Sequence, residues 1–337
     1  MNKNLQNIIK YTLSFAIAIV LLCLVFRSVN WESIVTELKN VSYTWVVVSM
    51  IVSLTAHWIR GLRWNLLLRP VGQSPSALNA FIAVMIGYMT NWVLPRLGEV
   101  ARCSVLKKTD DVPIATSVGT VITERISDLL ALIVLTGFTL ILEYDQAMNL
   151  MNTFILSKLQ MPDNKIFIAF ILIGIILVGI AFLYLIYKFR FKLMQISIIG
   201  KVMTLLLNIM EGVLSVFKLQ QKWLFIFYTF AMWLIYVITM YVLFFAMPGM
   251  ENLAFNVAFV ATIMSAISMI APIQGGVGVY HLLVTASLVA YGVNNEKALA
   301  FATIANASQF LIMIITGAIC TVAATFIEKR KSEPDVL

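Results

Sequence analysis

The chain has 337 residues, of which 61% are hydrophobic and only 12% are charged, and its formal net charge is +8. A soluble domain carries about 25% charged residues, because its surface faces water. With a mean hydropathy of +0.93, the composition excludes a disordered chain, a coiled coil and an ordinary soluble enzyme, and it predicts a polytopic membrane protein. The basic excess fits cytoplasmic segments beside an anionic leaflet better than a nucleic-acid surface.

Six apolar stretches come close to or exceed the length of about 20 residues that a helix needs to cross the hydrocarbon. They cover about residues 9–27, 43–59, 113–142, 166–187, 223–247 and 298–327. The first has no small-residue cleavage site after it, which favours a retained helix over a signal peptide. We predict one transmembrane domain over 1–337 in a bacterial inner membrane, with a cytoplasmic N-terminus and a cytoplasmic tail at 329–337.

Two further apolar stretches are interrupted by helix breakers. One covers 77–106 and breaks at Pro95, and the other covers 253–291 and breaks over 272–278. If the first crossed the membrane completely, the basic residues that follow it would face outward, against the positive-inside rule. We therefore predict that both stretches are re-entrant hairpins, each returning to its own side.

The predicted elements repeat in two halves, 1–145 and 160–328. Each half contains a span, an amphipathic segment (31–41 or 200–218), a second span, a broken hairpin and a third span. The amphipathic segments are expected to lie as helices in the membrane interface. Because three crossings is an odd number, the second half is inverted and the hairpins enter from opposite sides. The predicted fold is an all-α membrane protein with six spanning helices and two re-entrant hairpins in an inverted repeat.

Polar residues gather at the first break. Asn91 precedes it, and if Pro95 opens a half-helix, Arg96, Glu99 and Arg102 recur at intervals of three near one face. A broken helix frees backbone groups that hydrocarbon cannot satisfy. Matching breaks in two inverted halves indicate a transporter's binding site near the midplane.

The span at 113–142 carries Glu124, Arg125 and Asp128, and unpaired charges at this depth cost several kcal/mol. One interpretation is a structural ion cluster, with Arg96 on Glu124 and Arg125 on Asp128. The other is a cavity in which surplus Arg and Asn donors hold an anionic group, since a guanidinium can bond two phosphate oxygens at once. The two interpretations are compatible.

Two other groups of residues are candidates for contact with a headgroup. Arg60 and Arg63 stand at a predicted cytoplasmic span end, with Trp58 and Trp64 as interface anchors. The two arginines either snorkel to water or contact lipid phosphates. The second break carries glycines whose N–H groups are suited to receive an anion at a helix start. A histidine after them either titrates near neutral pH or is packed and hydrogen-bonded. The residues at the second break are Gly275, Gly276, Gly278 and His281.

Four motifs, taken in order and spacing, carry a family resemblance. They are Arg60-x-x-Arg63-Trp64, Asn91-x-x-Leu94-Pro95-Arg96-x-Gly98-Glu99-x-x-Arg102, Glu124-Arg125-x-x-Asp128 and Pro272-x-x-Gly275-Gly276-x-Gly278. These motifs resemble the flippase-like membrane family that corresponds to the transmembrane region of lysylphosphatidylglycerol synthases. His281 stands where that family usually has an acidic residue, a difference that bears on the headgroup.

The resemblance implies a lipid transporter. In fused members this region is taken to flip aminoacylated phosphatidylglycerol, and stand-alone members are implicated in handling lipids or polyprenyl-linked substrates. The aminoacyl-transferring domain is not found in this sequence, and no nucleophile–base pair or metal motif is present, so we expect no enzyme activity. The three cysteines lack metal-ligand spacing, so no metal or cofactor is predicted.

We therefore predict a flippase-like transporter that moves a phosphate-bearing amphiphile, either a phospholipid or a polyprenyl-linked lipid, between leaflets. Its expected partners are membrane lipids, without nucleic acid. Two alternatives remain open: a carrier of a small soluble anion, and a non-transporting assembly partner of a lipid-modifying enzyme.

Overall fold

The computed structural model describes residues 31–94, 97–144, 219–271 and 273–332, and these residues form helices and connecting turns without strands. The helices are α1 (Trp31–Lys39), α2 (Tyr43–Leu68), α3 (Ala77–Val93), α4 (Gly98–Asp110), α5 (Ile114–Leu142), α6 (Lys222–Phe244), α7 (Phe255–Ser268), α8 (Val279–Ala290) and α9 (Asn295–Ser332). The predicted all-α class is confirmed.

Four of these elements are long and apolar enough to cross a membrane. They are Tyr43–Val71, Ile114–Leu142, Lys222–Phe244 and Asn295–Lys329, and by length and composition they match four of the six predicted spans. The predicted spans at 9–27 and 166–187 and the amphipathic segment at 200–218 lie outside the described residues. The α9 helix continues to Ser332, so the predicted tail at 329–337 starts as helix.

The bundle has an upper and a lower end, defined by where α2 begins and ends. At the upper end the N–H of Ser42 donates to the carbonyl of Ala246 at 2.8 Å, which places the start of α2 beside the end of α6. At the lower end Arg69 Nη1 donates to Gln221 Oε1 at 2.8 Å, beside the start of α6. The α2 and α6 helices are therefore antiparallel.

The α3 and α4 helices form a first hairpin that is open at the lower end. Asn79 Nδ2, near the start of α3, donates to both carboxylate oxygens of Asp110 at 3.0 Å, at the end of α4. The backbones touch where the helices cross, because a Cβ on Gly98 would overlap the carbonyl oxygen of Gly87. The described α4 helix begins at Gly98, whose N–H donates to Asn91 Oδ1 at 2.8 Å. Pro95, where we predicted that this half-helix opens, lies outside the described residues.

The α7 and α8 helices form a second hairpin that is open at the upper end. Glu143, just past the end of α5, accepts from Asn256 Nδ2 at 2.7 Å and from the Tyr291 hydroxyl at 2.9 Å. Burial raises the pKa of the Tyr291 phenol, and the hydrogen bond to Glu143 adds to this effect. The phenol therefore keeps the proton that ties the end of α8 to α5.

The two hairpins meet in the interior at their tips. The indole ring of Trp92, at the end of α3, lies so close to Gly275 that a Cβ on this glycine would overlap it. Asn306 Nδ2 of α9 donates to the carbonyl of Gly275 at 3.1 Å and holds the second tip from the other side. The two breaks are far apart along the chain but are thus in contact in the fold.

The α1 helix confirms a helix in the segment predicted at 31–41 and covers Trp31–Lys39 of it. Ile34 and Val41 are buried in the core with residues of α6 and α9, whereas Val35 is exposed. Lys297 of α9 lies 3.8 Å from Glu37 of α1 and donates to the carbonyl of Pro248, so this helix covers the upper end.

Candidate functional site

Charged side chains from two antiparallel helices meet in the interior of the bundle. Arg60 and Arg63 are one turn apart on α2, and Glu124 and Asp128 are one turn apart on α5, so each pair lines one helix face. Arg60 Nη1 donates to Glu124 Oε1 at 2.6 Å and to Asp128 Oδ2 at 2.7 Å. Arg63 Nη2 donates to Asp128 Oδ1, and to Glu124 Oε1 at 3.3 Å.

Arg102 of α4 brings a third guanidinium to this cluster. Its Nη2 lies 2.8 Å from Glu124 Oε2, as an ion pair without hydrogen-bond geometry. Its guanidinium carbon lies 4.5 Å from the centroid of the Trp64 ring, a cation–π distance. The Trp64 indole N–H donates to Thr120 Oγ1 at 2.9 Å, which links α2 to α5 on the lower side of the charges.

We call Arg60, Arg63, Arg102, Glu124 and Asp128 the buried ion cluster. The side chains of Arg63 and Glu124 are 0% exposed. Three guanidinium groups face two carboxylates, which leaves one positive charge in surplus. Arg60 and Arg63 lie about 12 and 8 Å above Leu68, the last residue of α2, within the candidate span Tyr43–Val71.

The interpretation of Arg60 and Arg63 as snorkelling residues is wrong, and so is that of Trp64 as an interface anchor. All three are buried, because α2 does not end near residue 59 but continues to Leu68. A snorkelling arginine reaches water to keep its charge solvated, whereas these two find carboxylates inside the bundle. Trp58 is partly exposed, as predicted.

The predicted pairing of the charges differs from the observed pairing. Asp128 is bound by arginines of α2, whereas Arg125 Nη2 lies 3.1 Å from Glu99 Oε1. This second pair is partly exposed, at 40% for Arg125 and 31% for Glu99. Glu124 has three arginine neighbours of its own, and Arg96 lies outside the described residues.

A cavity of about 550 Å³ lies between the buried ion cluster and the hairpin tips. Six of the residues that we selected from the sequence line this cavity. These are Arg60, Asn91, Glu99, Arg125, Asp128 and Gly275. Arg63, Arg102 and Glu124 lie behind this wall and hold Arg60 and Asp128 in place.

The remaining predicted residues of the second break are bonded within the tip and do not line the cavity. The N–H of Gly276 donates to the carbonyl of Ile273 at 3.2 Å. The N–H of Gly278 donates to Nδ1 of His281 at 3.4 Å, and this histidine is buried. The glycine N–H groups that we expected to be free for an anion are thus engaged at these two positions.

The cavity also contains polar and aromatic residues that the sequence analysis did not select. They are His57, Tyr88, Trp92, Trp233, Tyr236 and Tyr280, with the hydroxyl residues Ser53, Thr239, Thr262 and Ser265 and the amide residue Gln309. A helical spacing was the available signal, since His57 precedes Arg60 and Tyr88 precedes Asn91 by three residues.

The cavity opens on one side, between α5 and the end of α7. The lining residues on this side are exposed and apolar, with Leu129 at 51%, Met269 at 50% and Ile270 at 61%. The lining residues of α2, α6 and α9 are mostly buried. We call this opening the apolar mouth, and the Arg125–Glu99 pair is among the partly exposed residues that line it.

Over the described ranges, no group of His, Cys, Asp and Glu is arranged to hold a metal ion. The polar groups of the site are instead guanidinium, carboxylate, amide, imidazole and hydroxyl groups around a partly apolar cavity. Such an arrangement suits the binding of an anion or an amphiphile.

The fold and the site define an all-α membrane protein with a buried ion cluster and a cavity where two broken-helix hairpins meet. Comparison with known proteins identifies the group: the chain belongs to the family of the lysylphosphatidylglycerol synthase transmembrane region, whose profile matches residues 11–317. A membrane protein of Methanocaldococcus jannaschii assigned to UPF0104 is 24% identical over 137 residues, which are 40% of this chain and 41% of that relative. The match thus covers about two fifths of each protein, and no solved structure matches the chain.

Proposed function

We propose that this protein is a flippase-like transporter that moves a phosphate-bearing amphiphile between leaflets. The substrate is a phospholipid or a polyprenyl-linked lipid, and the protein carries out no chemical step on it. The observation that carries the proposal is a cavity with guanidinium groups in its wall and exposed apolar side chains at its mouth. The name of the family, which refers to a lipid synthase, agrees with a lipid substrate.

The apolar mouth favours an amphiphile over a small soluble anion. Leu129, Met269 and Ile270 would face lipid if α5 and α7 lie in the membrane, since exposed apolar side chains on such helices contact acyl chains. A substrate with its headgroup in the cavity and its tails among these side chains does not have to leave the hydrocarbon. A soluble anion would need a polar path to water instead.

The phosphate is assigned to the arginines of the cavity wall. Arg60 and Arg125 both line the cavity, and the Nε–H of each has no hydrogen-bond partner among the described residues. The surplus positive charge of the buried ion cluster lies directly behind this part of the cavity wall. An incoming phosphate would displace Glu99 from Arg125, and this pair would re-form after release. Arg96, predicted at the same tip, is a further candidate.

We propose that the two hairpins are re-entrant and that the halves 1–145 and 160–328 form an inverted repeat, with six spans in all. Two features support this: the hairpins open at opposite ends of the bundle, and their tips meet at Trp92 and Gly275. All four hairpin helices have 17 residues or fewer. The longest is therefore about 25 Å, below the hydrocarbon thickness of about 30 Å.

The orientation follows from the basic residues of the described ends. We assign the lower end to the cytoplasm of a bacterium, and with it both termini, because the lower end is the more basic one. The described basic residues there are Arg69, Lys107, Lys108, Lys222 and Lys329, against Lys39 and Lys297 at the upper end.

Leaflet exchange in reconstituted vesicles tests the proposal. The purified full chain is reconstituted with traces of tail-labelled phosphatidylglycerol or of a labelled polyprenyl phosphate, and loss of label from the inner leaflet is followed. We expect exchange with at least one probe. It should fall about tenfold or more in Arg125→Gln, since a hydrogen bond to a charged group contributes about 1.5–3 kcal/mol.

The matched control is Arg69→Gln, an exposed arginine at the lower end that lies outside the cavity. It should leave exchange unchanged. Uptake of inorganic phosphate without lipid exchange would replace the proposal by the soluble-anion carrier. Absence of both activities, together with tight co-purification of a lipid-modifying enzyme, would replace it by the assembly partner.

A further inference from the structure

His57 is a buried polar residue in the cavity wall with no bonding partner in the described structure. Its side chain is 3% exposed, and both ring nitrogens lack a hydrogen-bond partner among the described residues. The ring lies 4.9 Å from the Tyr88 ring and 6.2 Å from the Tyr236 ring, centroid to centroid. A buried polar group without a partner costs about 1–3 kcal/mol, so this imidazole is poised to bond something that enters the cavity.

Hydroxyl groups from α2, α6 and α7 also line the cavity. The hydroxyls of Ser53, Thr239 and Thr262 each donate to a carbonyl of their own helix, at 2.7, 2.8 and 2.7 Å, and Ser265 does the same at 2.8 Å. Because the protons are committed, the oxygens can only accept. This wall of the cavity therefore offers acceptors, and His57 adds one donor and one acceptor when neutral.

The position of these groups suits a headgroup that extends beyond its phosphate. His57 lies three residues above Arg60 on α2, a rise of about 4.5 Å, and Ser53 lies a further turn above. A phosphate on Arg60 and Arg125 would place the next few atoms of the headgroup beside the imidazole. The surplus positive charge nearby disfavours an ammonium group there, whereas a hydroxyl both donates and accepts without charge.

We propose that His57 is the centre of a second subsite, which binds the hydroxyl groups of a phosphopolyol headgroup. The subsite rests on the proposed function, because it takes its place from the phosphate on Arg60 and Arg125. His57 donates to or accepts from one hydroxyl, and the oxygens of Ser53 and Thr239 accept from others. A glycerol and a sugar share this chemistry.

Headgroup preference tests the subsite. Exchange of tail-labelled phosphatidylglycerol, phosphatidylinositol, phosphatidic acid and phosphatidylethanolamine is compared in vesicles that contain the full chain. We expect one or both polyol lipids to exchange about tenfold faster than phosphatidic acid, the value of one to two net hydrogen bonds. The two polyol probes separate glycerol from the ring polyol inositol, and phosphatidylethanolamine reports whether an ammonium is accepted.

The variant His57→Phe keeps a ring between Tyr88 and Tyr236 and removes the nitrogens. It should bring the rate with the polyol lipid down to that with phosphatidic acid and leave the latter unchanged. Ser53→Ala should lower the polyol preference several-fold. Its control is Ser49→Ala, because Ser49 is equally buried on α2 and donates to the carbonyl of Val46 at 2.7 Å but does not line the cavity.

Equal rates for polyol lipids and phosphatidic acid in the wild type would overturn the subsite and leave the proposed function standing. So would a faster rate for phosphatidylethanolamine, or an equal loss with every lipid in His57→Phe. Retention of the four lipids in native mass spectrometry tests the subsite without transport, and so identifies the case in which the subsite is correct and the transporter is not. A polyol preference in binding that is lost in His57→Phe, without exchange of any lipid, would support the subsite and overturn the transporter.

Discussion

Trp92 and Gly275 join the two hairpins of this protein by direct contact of an indole ring with a glycine backbone. The φ angle of Gly275 is +57°, in the left-handed region, and a Cβ at this position would overlap the ring. Glycine is therefore required twice, for its conformation and for its lack of a side chain. Both residues also line the cavity, so movement of either tip changes the shape of the site.

Gly275→Ala should consequently lower the free energy of unfolding by more than the conformational strain at this residue accounts for. The left-handed conformation costs about 1–2 kcal/mol for a residue with a Cβ, and displacing Trp92 adds about 1–3 kcal/mol of overpacking. Gly292→Ala is the control, since its φ is +83° and nothing lies within 4 Å of the new Cβ. Unfolding in detergent, followed by circular dichroism, gives both values, and equal losses would contradict the contact.

Glu124→Gln should be among the most destabilising single changes in the chain. It removes one carboxylate from the buried ion cluster and leaves three guanidinium groups facing Asp128 alone. Breaking a buried pair in this way costs about 3–5 kcal/mol. The free energy of unfolding in detergent is the measurement.

Glu328→Gln provides the comparison for this change. Glu328 pairs with Lys108 at 3.2 Å, but both side chains are about half exposed. Exposed pairs contribute about 0–1 kcal/mol, so this variant should remain close to the wild type. A Glu124→Gln protein as stable as Glu328→Gln would mean that the cluster is hydrated or that its charges are not all present.

Trp64 and Thr120 should show energetic coupling in a double-mutant cycle. Trp64→Phe keeps an aromatic ring near Arg102 and loses the indole N–H that donates to Thr120. Thr120→Val removes the acceptor with little change of shape. We expect a coupling energy of about 1 kcal/mol, the net contribution of one hydrogen bond. Simple addition of the two single effects would show that the bond does not stabilise the fold.

The positions of helices and breaks followed closely from the sequence. The predicted span at 113–142 is observed as Ile114–Leu142, and the breaks were expected where α3 gives way to α4 and α7 to α8. Both results come from local physics, since apolar length and the effects of proline and glycine act within a few residues. The least accurate boundary was the end of α2, because charged residues at 60 and 63 resemble a helix leaving the membrane.

The residues that form the site were only partly predictable. Asn91, Glu99, Arg125 and Asp128 were selected because charge and amide groups are conspicuous in an apolar chain, and all four line the cavity. His57 stands three residues before Arg60 on the same helix face, but this spacing alone does not distinguish a cavity residue from a packed one. Its lack of a partner is visible only when its surroundings are known.

From the order of residues alone it follows that this chain belongs in a membrane, that several apolar stretches are long enough to cross it, and that two further apolar stretches break. Those properties depend on neighbours along the chain. The tertiary structure decided which charges pair, because Arg60 and Glu124 are 64 positions apart and a Coulomb interaction depends on distance in space. It also decided that the two breaks meet and enclose a cavity, which depends on how helices pack and not on how each one forms.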